Sequence, residues 1–199
     1  MLKKIIILKI LIFINVLNAG DYNLHPSVKS ILLPGWGESE LKSKNRSKYF
    51  FVFEISLWTA FAGFYTFGNH KKKQYQSFAA QFAGVNPNYK NHKYWVDIGN
   101  YINLDEHNAE HLRWRSINDL YSFDNNWHWK SISHMKKFEK MRIESDMYAK
   151  YGEYILGVIT LNHIISAINS LYLSRLNQNI QFKPNIGSNR AEIELILKI

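Results

Sequence analysis

The chain has 199 residues, enough for one compact domain or a small membrane protein and too few for a multidomain enzyme. It contains no cysteine, which excludes disulfides, thiol nucleophiles and thiolate metal sites. A hydrophobic share of 46% argues against intrinsic disorder, and a net charge of +9 favours contact with anionic surfaces such as lipid headgroups.

The opening residues read as a secretory signal peptide over 1–19: Lys3 and Lys4, an apolar run from Ile5 to Ile14, then Ala19 as the small residue at the cleavage point. An uncleaved anchor is the competing reading, although the run is short of the ~20 residues of a spanning helix. Val28–Trp36 is too short to span, and Pro34 with Gly35 stops any helix there. It reads as a half-helix or re-entrant element against a helical pair.

The first member of that pair is Tyr49–Gly68, between Lys42, Lys44, Arg46 and Lys48 on one side and Lys71–Lys73 on the other. Its length corresponds to about 30 Å of helix, the thickness of a bilayer's hydrocarbon core. Basic flanks suit headgroups, and Glu54 is the one carboxylate inside. A small-residue face of Ser56, Ala60 and Gly63 is available for close helix approach. The alternative is a core helix of a soluble helical domain.

The polar region 70–150 carries four helical patterns. Tyr75, Phe78, Ala79 and Phe82 form the first, broken by Gly84–Asn88; Tyr94, Ile98, Tyr101 and Ile102 mark the second. Ala109, Leu112, Ile117 and Leu120 mark a third, and a fourth runs from Ile132 through Phe138 toward Tyr148. The Trp127-His128-Trp129 cluster reads as an interfacial aromatic belt.

The second membrane candidate, Gly152–Leu173, carries a polar stripe at helical spacing. Asn162, His163, Ser166 and Asn169 are the residues expected to hold the helical hairpin together, because unpaired polar groups in hydrocarbon cost several kcal/mol. Read functionally, His163 with Glu54 is a proton-relay pair between the two helices; read structurally, His163 is a hydrogen-bonded structural histidine. Period-two alternation on both sides of Asn185–Asn189 predicts a C-terminal β-hairpin over 178–199.

The segment Ser30-Ile31-Leu32-Leu33-Pro34-Gly35-Trp36-Gly37 resembles the opening motif of an uncharacterised bacterial membrane family, domain of unknown function 5683. Pro34, Gly35 and Gly37 are the motif residues, and Glu38 stands where relatives usually carry Gln. Looser similarities lie at Tyr94–Tyr101, Arg142–Ser145 and Asn162–Ile168, so the likeness covers most of 28–175. The resemblance implies a membrane location and supplies no activity.

One motif points to chemistry. His107-Asn108-Ala109-Glu110-His111 places two histidines at i and i+4 with a glutamate between them, the order of an inverted zinc-protease motif. Read functionally, His107 and His111 are metal ligands of a membrane-associated metal-dependent hydrolase; read structurally, they are part of a helix face. The expected fold is mainly α: a helical membrane hairpin with a helical extramembrane domain, together spanning 28–175, and a β-hairpin tail. The function expected is that of a small integral membrane protein, a structural or accessory component of the bacterial envelope in the inner membrane, rather than an enzyme. No catalytic residue and no cofactor is expected. The partners expected are a lipid bilayer with anionic headgroups, other envelope proteins or a second copy, and not nucleic acid.

Overall fold

The computed structural model describes residues 24–187 and 190–197. The expected signal peptide over 1–19 lies outside them. In chain order come α1 (Pro26–Leu32), α2 (Trp36–Glu40), α3 (Lys44–Ala83), α4 (His92–Asn100), α5 (Leu104–Arg113), two single 3-10 turns at Ile117–Asp119 and Phe123–Asn125, and α6 (Ile132–Asn179). The backbone then forms β1 (Ile180–Gly187) paired antiparallel with β2 (Arg190–Leu197), Ile180 opposite Leu197 and Gly187 opposite Arg190. The protein is mainly helical. The chain divides into two compact units, one from residues up to Trp58 together with those from Gly157 onward, the other from Thr59–Leu156.

The two long helices run through the segments that the sequence marks as membrane candidates. α3 has 40 residues, and the first amphipathic pattern of the polar region is its continuation rather than a separate helix. α6 has 48 residues and likewise carries the fourth pattern straight into the second apolar segment. Both are long and apolar enough to cross a membrane. Of the most apolar 18-residue window, only 17% is buried in α3 and 28% in α6. A core helix of a soluble domain has the opposite character: its apolar face is covered.

In the first unit, α1 starts with Pro26 at its first position, where a missing N–H costs nothing, and the His25 ring accepts from the Ser27 N–H. It stops where Leu33 is forced into extended backbone by Pro34. Gly35, at φ +94°, then turns the chain into α2. Apolar residues of α3 and α6 in this unit point outward: Phe53, Ile55, Ile164, Ile165 and Ile168 are between 49% and 62% exposed. What is buried is largely polar, namely Ser30, Glu38, Glu54, Asn162, Ser166, Ser170 and Ser174, with Leu57 and Ile159 among few apolar neighbours.

The second unit reverses this. Tyr75, Ala79, Trp95, Ile98, Trp127, Trp129 and Phe138 form one buried cluster, with Phe78 and Phe82 packed against it. Rings meet edge to face, Tyr75 with Phe138 at 5.5 Å and 89°, and Tyr94 with Trp127 at 5.7 Å and 85°. α3 ends where Gly84 takes φ +69° and the Val85 N–H turns back to Ala79 O. Asn91 and Asn103 cap α4 and α5 by accepting from Tyr94 N and Glu106 N.

Three expectations are corrected here. Trp127 and Trp129 are each 1% exposed and belong to the core, not to an interfacial belt. Their indole N–H groups donate to Tyr101 O (3.0 Å) and Ile98 O (2.6 Å), the carbonyls left open at the end of α4. The third helix ends at Arg113, and Leu112 and Ile117 are exposed; the Asn103 cap sets its phase so that Leu104, His107 and His111 face inward. The small-residue face is not a contact either. Ser56 is exposed and bonds to Val52 O on its own helix, and nothing lies within 4 Å of a Cβ placed on Gly63.

Candidate functional site

The Pro-Gly motif and the polar stripe of α6 come together in the first unit, around a residue that neither reading had placed at the centre. Glu38, on α2, is fully buried. Its carboxylate accepts from Ser30 Oγ at 2.7 Å, from Ser166 Oγ at 3.0 and 3.1 Å, and from Asn169 Nδ2 at 3.0 Å.

The direction of each bond is fixed by a second one. Gly37 N–H donates to Ser30 Oγ at 3.0 Å and Gly35 N–H to Ser166 Oγ at 2.8 Å, so each serine oxygen accepts from backbone and sends its own proton to Glu38. Arg46 Nη1 donates to Asn169 Oδ1 at 2.8 Å, which orients that amide with its N–H toward the carboxylate. Every donor around Glu38 is therefore committed, and an acceptor-only group is what the cage requires. Charge-assisted bonds of this kind are the strong ones.

The glycines are explained by the same geometry. A Cβ on Gly37 would lie 2.1 Å from Pro26 O and 2.2 Å from Ser170 Oγ, and one on Gly35 would lie 2.6 Å from Ser47 O. Backbone approaches too closely for any side chain, and this close approach brings the two N–H groups to the serines. Pro34 is fully buried beside them.

One carboxylate further along, Glu54 on α3 receives Trp58 Nε1 at 2.7 Å, Asn162 Nδ2 at 2.9 Å and His163 Nε2 at 3.1 Å. The other His163 nitrogen, Nδ1, faces Ile31 O and must donate, since a carbonyl only accepts. His163 thereby bridges the Ile31 carbonyl of α1 and the Glu54 carboxylate of α3. All four polar residues picked out on α6 thus serve two buried carboxylates, Asn162 and His163 on Glu54, Ser166 and Asn169 on Glu38. The sequence reading missed Glu38, Ser30 and Arg46 as partners. The available signal was a carboxylate set directly after an otherwise apolar Pro-Gly motif.

The histidine motif sits in the second unit, in a different environment. His107 is fully buried, and its ring stacks on His111 with centroids 4.0 Å apart and planes at 22°. His111 Nδ1 donates to the backbone carbonyl of His107, one turn earlier, at 2.9 Å, a side-chain bond that spends this ring nitrogen within its own helix. His107 Nε2 lies 3.7 Å from Asp97 Oδ2, too far for a hydrogen bond, and that oxygen accepts from Tyr121 at 2.7 Å and Lys93 at 2.8 Å. Burial holds His107 below the ordinary histidine range, with the Asn108 hydrogen bond and then the Asp97 charge opposing that shift only in part. Parallel ring stacking fills the ring faces with aromatic contacts, and Tyr101, Tyr121 and Trp127 complete the box. Among the described residues no group of three or more His, Asp or Glu side chains is arranged to hold a metal ion. This geometry lends the metal-hydrolase alternative no support.

No family model, no curated protein and no solved structure matches the chain.

Proposed function

We propose that the chain is a small integral membrane protein, a structural or accessory component of the bacterial envelope residing in the inner membrane. One observation carries this reading: the first unit buries serines, an asparagine and two carboxylates while leaving Phe53, Ile55, Ile164, Ile165 and Ile168 exposed on helices of membrane-spanning length. Polar groups that turn inward and satisfy one another, with apolar groups outward, suit a hydrocarbon solvent and are costly in water. The lysine clusters at 42–48 and 71–73 suit anionic headgroups at the ends of the first span. The resemblance of the Pro-Gly motif to domain of unknown function 5683 points the same way.

In this reading the Glu38 cage is a fastener. It ties the α1–α2 element to α6 with its carboxylate and both serines buried, and Glu54 with His163 repeats the device on α3. The helical region 70–150 is the extramembrane part, and the C-terminal β-hairpin is a tail whose open edges offer strand pairing to a second copy or another envelope protein. The test is extraction from membranes. The protein is expected to stay in the pellet in alkaline carbonate and in high salt and to be released only by detergent; release by carbonate alone rejects the proposal.

A further inference from the structure

The second unit holds a hollow of about 260 Å³ between the faces of α3 and α6. It exists because small residues meet there. Gly68 lets the two helices approach, its would-be Cβ only 3.3 Å from Tyr148 Cβ, and Ser145 Oγ donates to Gly68 O at 3.0 Å; Ala149, one turn on, leaves the space above open. Phe64, Tyr65 and Tyr75 supply its aromatic walls.

Its rim carries one charge of each sign. Lys72 lines it and has no ion pair among the described residues, whereas its neighbour Lys71 is committed to Glu144 at 2.8 Å. Asp146 lines it too. Its Oδ2 accepts from Arg142 at 2.9 Å with the His92 ring 3.9 Å away, while its Oδ1 has no partner among the described residues. A free ammonium and a half-free carboxylate around a small aromatic hollow complement a ligand that itself carries an anion and a cation a few bonds apart. The volume is below that of a drug-sized pocket and suits a headgroup.

The hollow also lies at a definite place along α3. It begins at Phe64, inside the apolar run, and passes Gly68, the last residue of that run, to reach Lys72 in the basic flank. We propose that this hollow is a binding site for the phosphoethanolamine headgroup of a membrane phospholipid, its phosphate on Lys72 and its primary ammonium on Asp146 Oδ1 and the aromatic faces. The proposal rests on the membrane reading above, which sets the hollow at headgroup depth. A primary ammonium is specified over a trimethylammonium because only the former has N–H groups to donate to Oδ1.

The test is lipid retention by the full-length protein in detergent, measured by native mass spectrometry after equal exposure to phosphatidylethanolamine, phosphatidylcholine and phosphatidylglycerol. Loss of one charge-assisted hydrogen bond corresponds to about tenfold, so phosphatidylethanolamine is expected to be retained about tenfold over phosphatidylcholine. Asp146→Asn and Ala149→Leu are each expected to erase that preference, the second by filling the hollow with every charge left in place. Equal retention of the three lipids by the wild-type chain, or an unchanged preference in Ala149→Leu, overturns the site. Soluble phosphoethanolamine is the second arm: binding it while showing no preference among the diacyl lipids overturns the lipid assignment. Failure of the protein to float with vesicles would instead overturn the membrane reading, independently of the retention ratios.

Discussion

The two units of this chain solve the burial problem in opposite ways. In the first, the interior is a set of serine, asparagine, histidine and glutamate side chains in which Ser30, Ser166, Asn169, Asn162 and His163 bond to two carboxylates while Ser170 Oγ has no partner among the described residues, and the surface is phenylalanine, isoleucine and leucine. In the second, the interior is three indoles with tyrosine and phenylalanine rings, and lysines and carboxylates lie outside. The difference teaches that mean composition says little about such a protein: along α3 and α6 the apolar side chains face outward in one unit and inward in the other.

Breaking the aromatic interior should have the largest effect. Trp129→Ala removes a fully packed indole and leaves Ile98 O without its donor, with an expected loss of about 3–5 kcal/mol. Chemical denaturation followed by near-ultraviolet circular dichroism reads it, and a loss below ~1 kcal/mol would remove the aromatic cluster as the source of this unit's stability.

Breaking the polar interior should come next. Glu38→Ala leaves two serine hydroxyls and an amide aimed at nothing, at an expected cost of about 1–3 kcal/mol. Glu38→Gln keeps the shape but points N–H groups at donors that cannot turn round, so it should be less stable than wild type as well. A thermal melt of Glu38→Gln that overlays the wild type would refute the fixed bond directions.

A third prediction uses pH to separate the units. His107 is held below its ordinary value by burial, so the unfolded chain binds a proton at a higher pH than the folded one. The stability from its neutral ring is present above about pH 6.5 and is lost as pH falls from there toward the lowered value. Denaturation at pH 7.5 and pH 5.5 should show the second unit weakened at the lower pH, and His107→Phe should flatten that slope. An unchanged slope assigns it to other groups. The smallest effect is expected at Ser56→Ala, an exposed hydroxyl bonded to its own helix, within ~0.5 kcal/mol of wild type by the same melt.

How much of this could be read from the sequence depends on the reach of each interaction. Helix ends were legible because their causes are local: Pro34 blocks Leu33, and Gly84 supplies a left-handed residue after Ala83. The stripe Asn162, Ser166, Asn169 was legible as a face that needs partners. The partner was not, because Glu38 lies 128 residues from Ser166 and 131 from Asn169, and periodicity carries no information at that separation. Trp127 and Trp129 were misread as an interfacial belt since composition favours that, whereas their placement depends on which open carbonyls their N–H groups meet. In α5 the apolar count favoured Ala109 and Leu112, but the cap at Asn103 and the surrounding rings turned two histidines inward.

The account stands most directly on what surrounds the exposed apolar residues of α3 and α6. With no cysteine in the chain, single substitutions Phe53→Cys, Ile165→Cys and Tyr89→Cys can each carry one fluorophore in reconstituted vesicles. Quenchers on lipid acyl chains are predicted to darken the labels at 53 and 165 and to leave the label at 89 to aqueous iodide. Iodide quenching of all three labels alike, with no response to the acyl-chain quenchers, would contradict it.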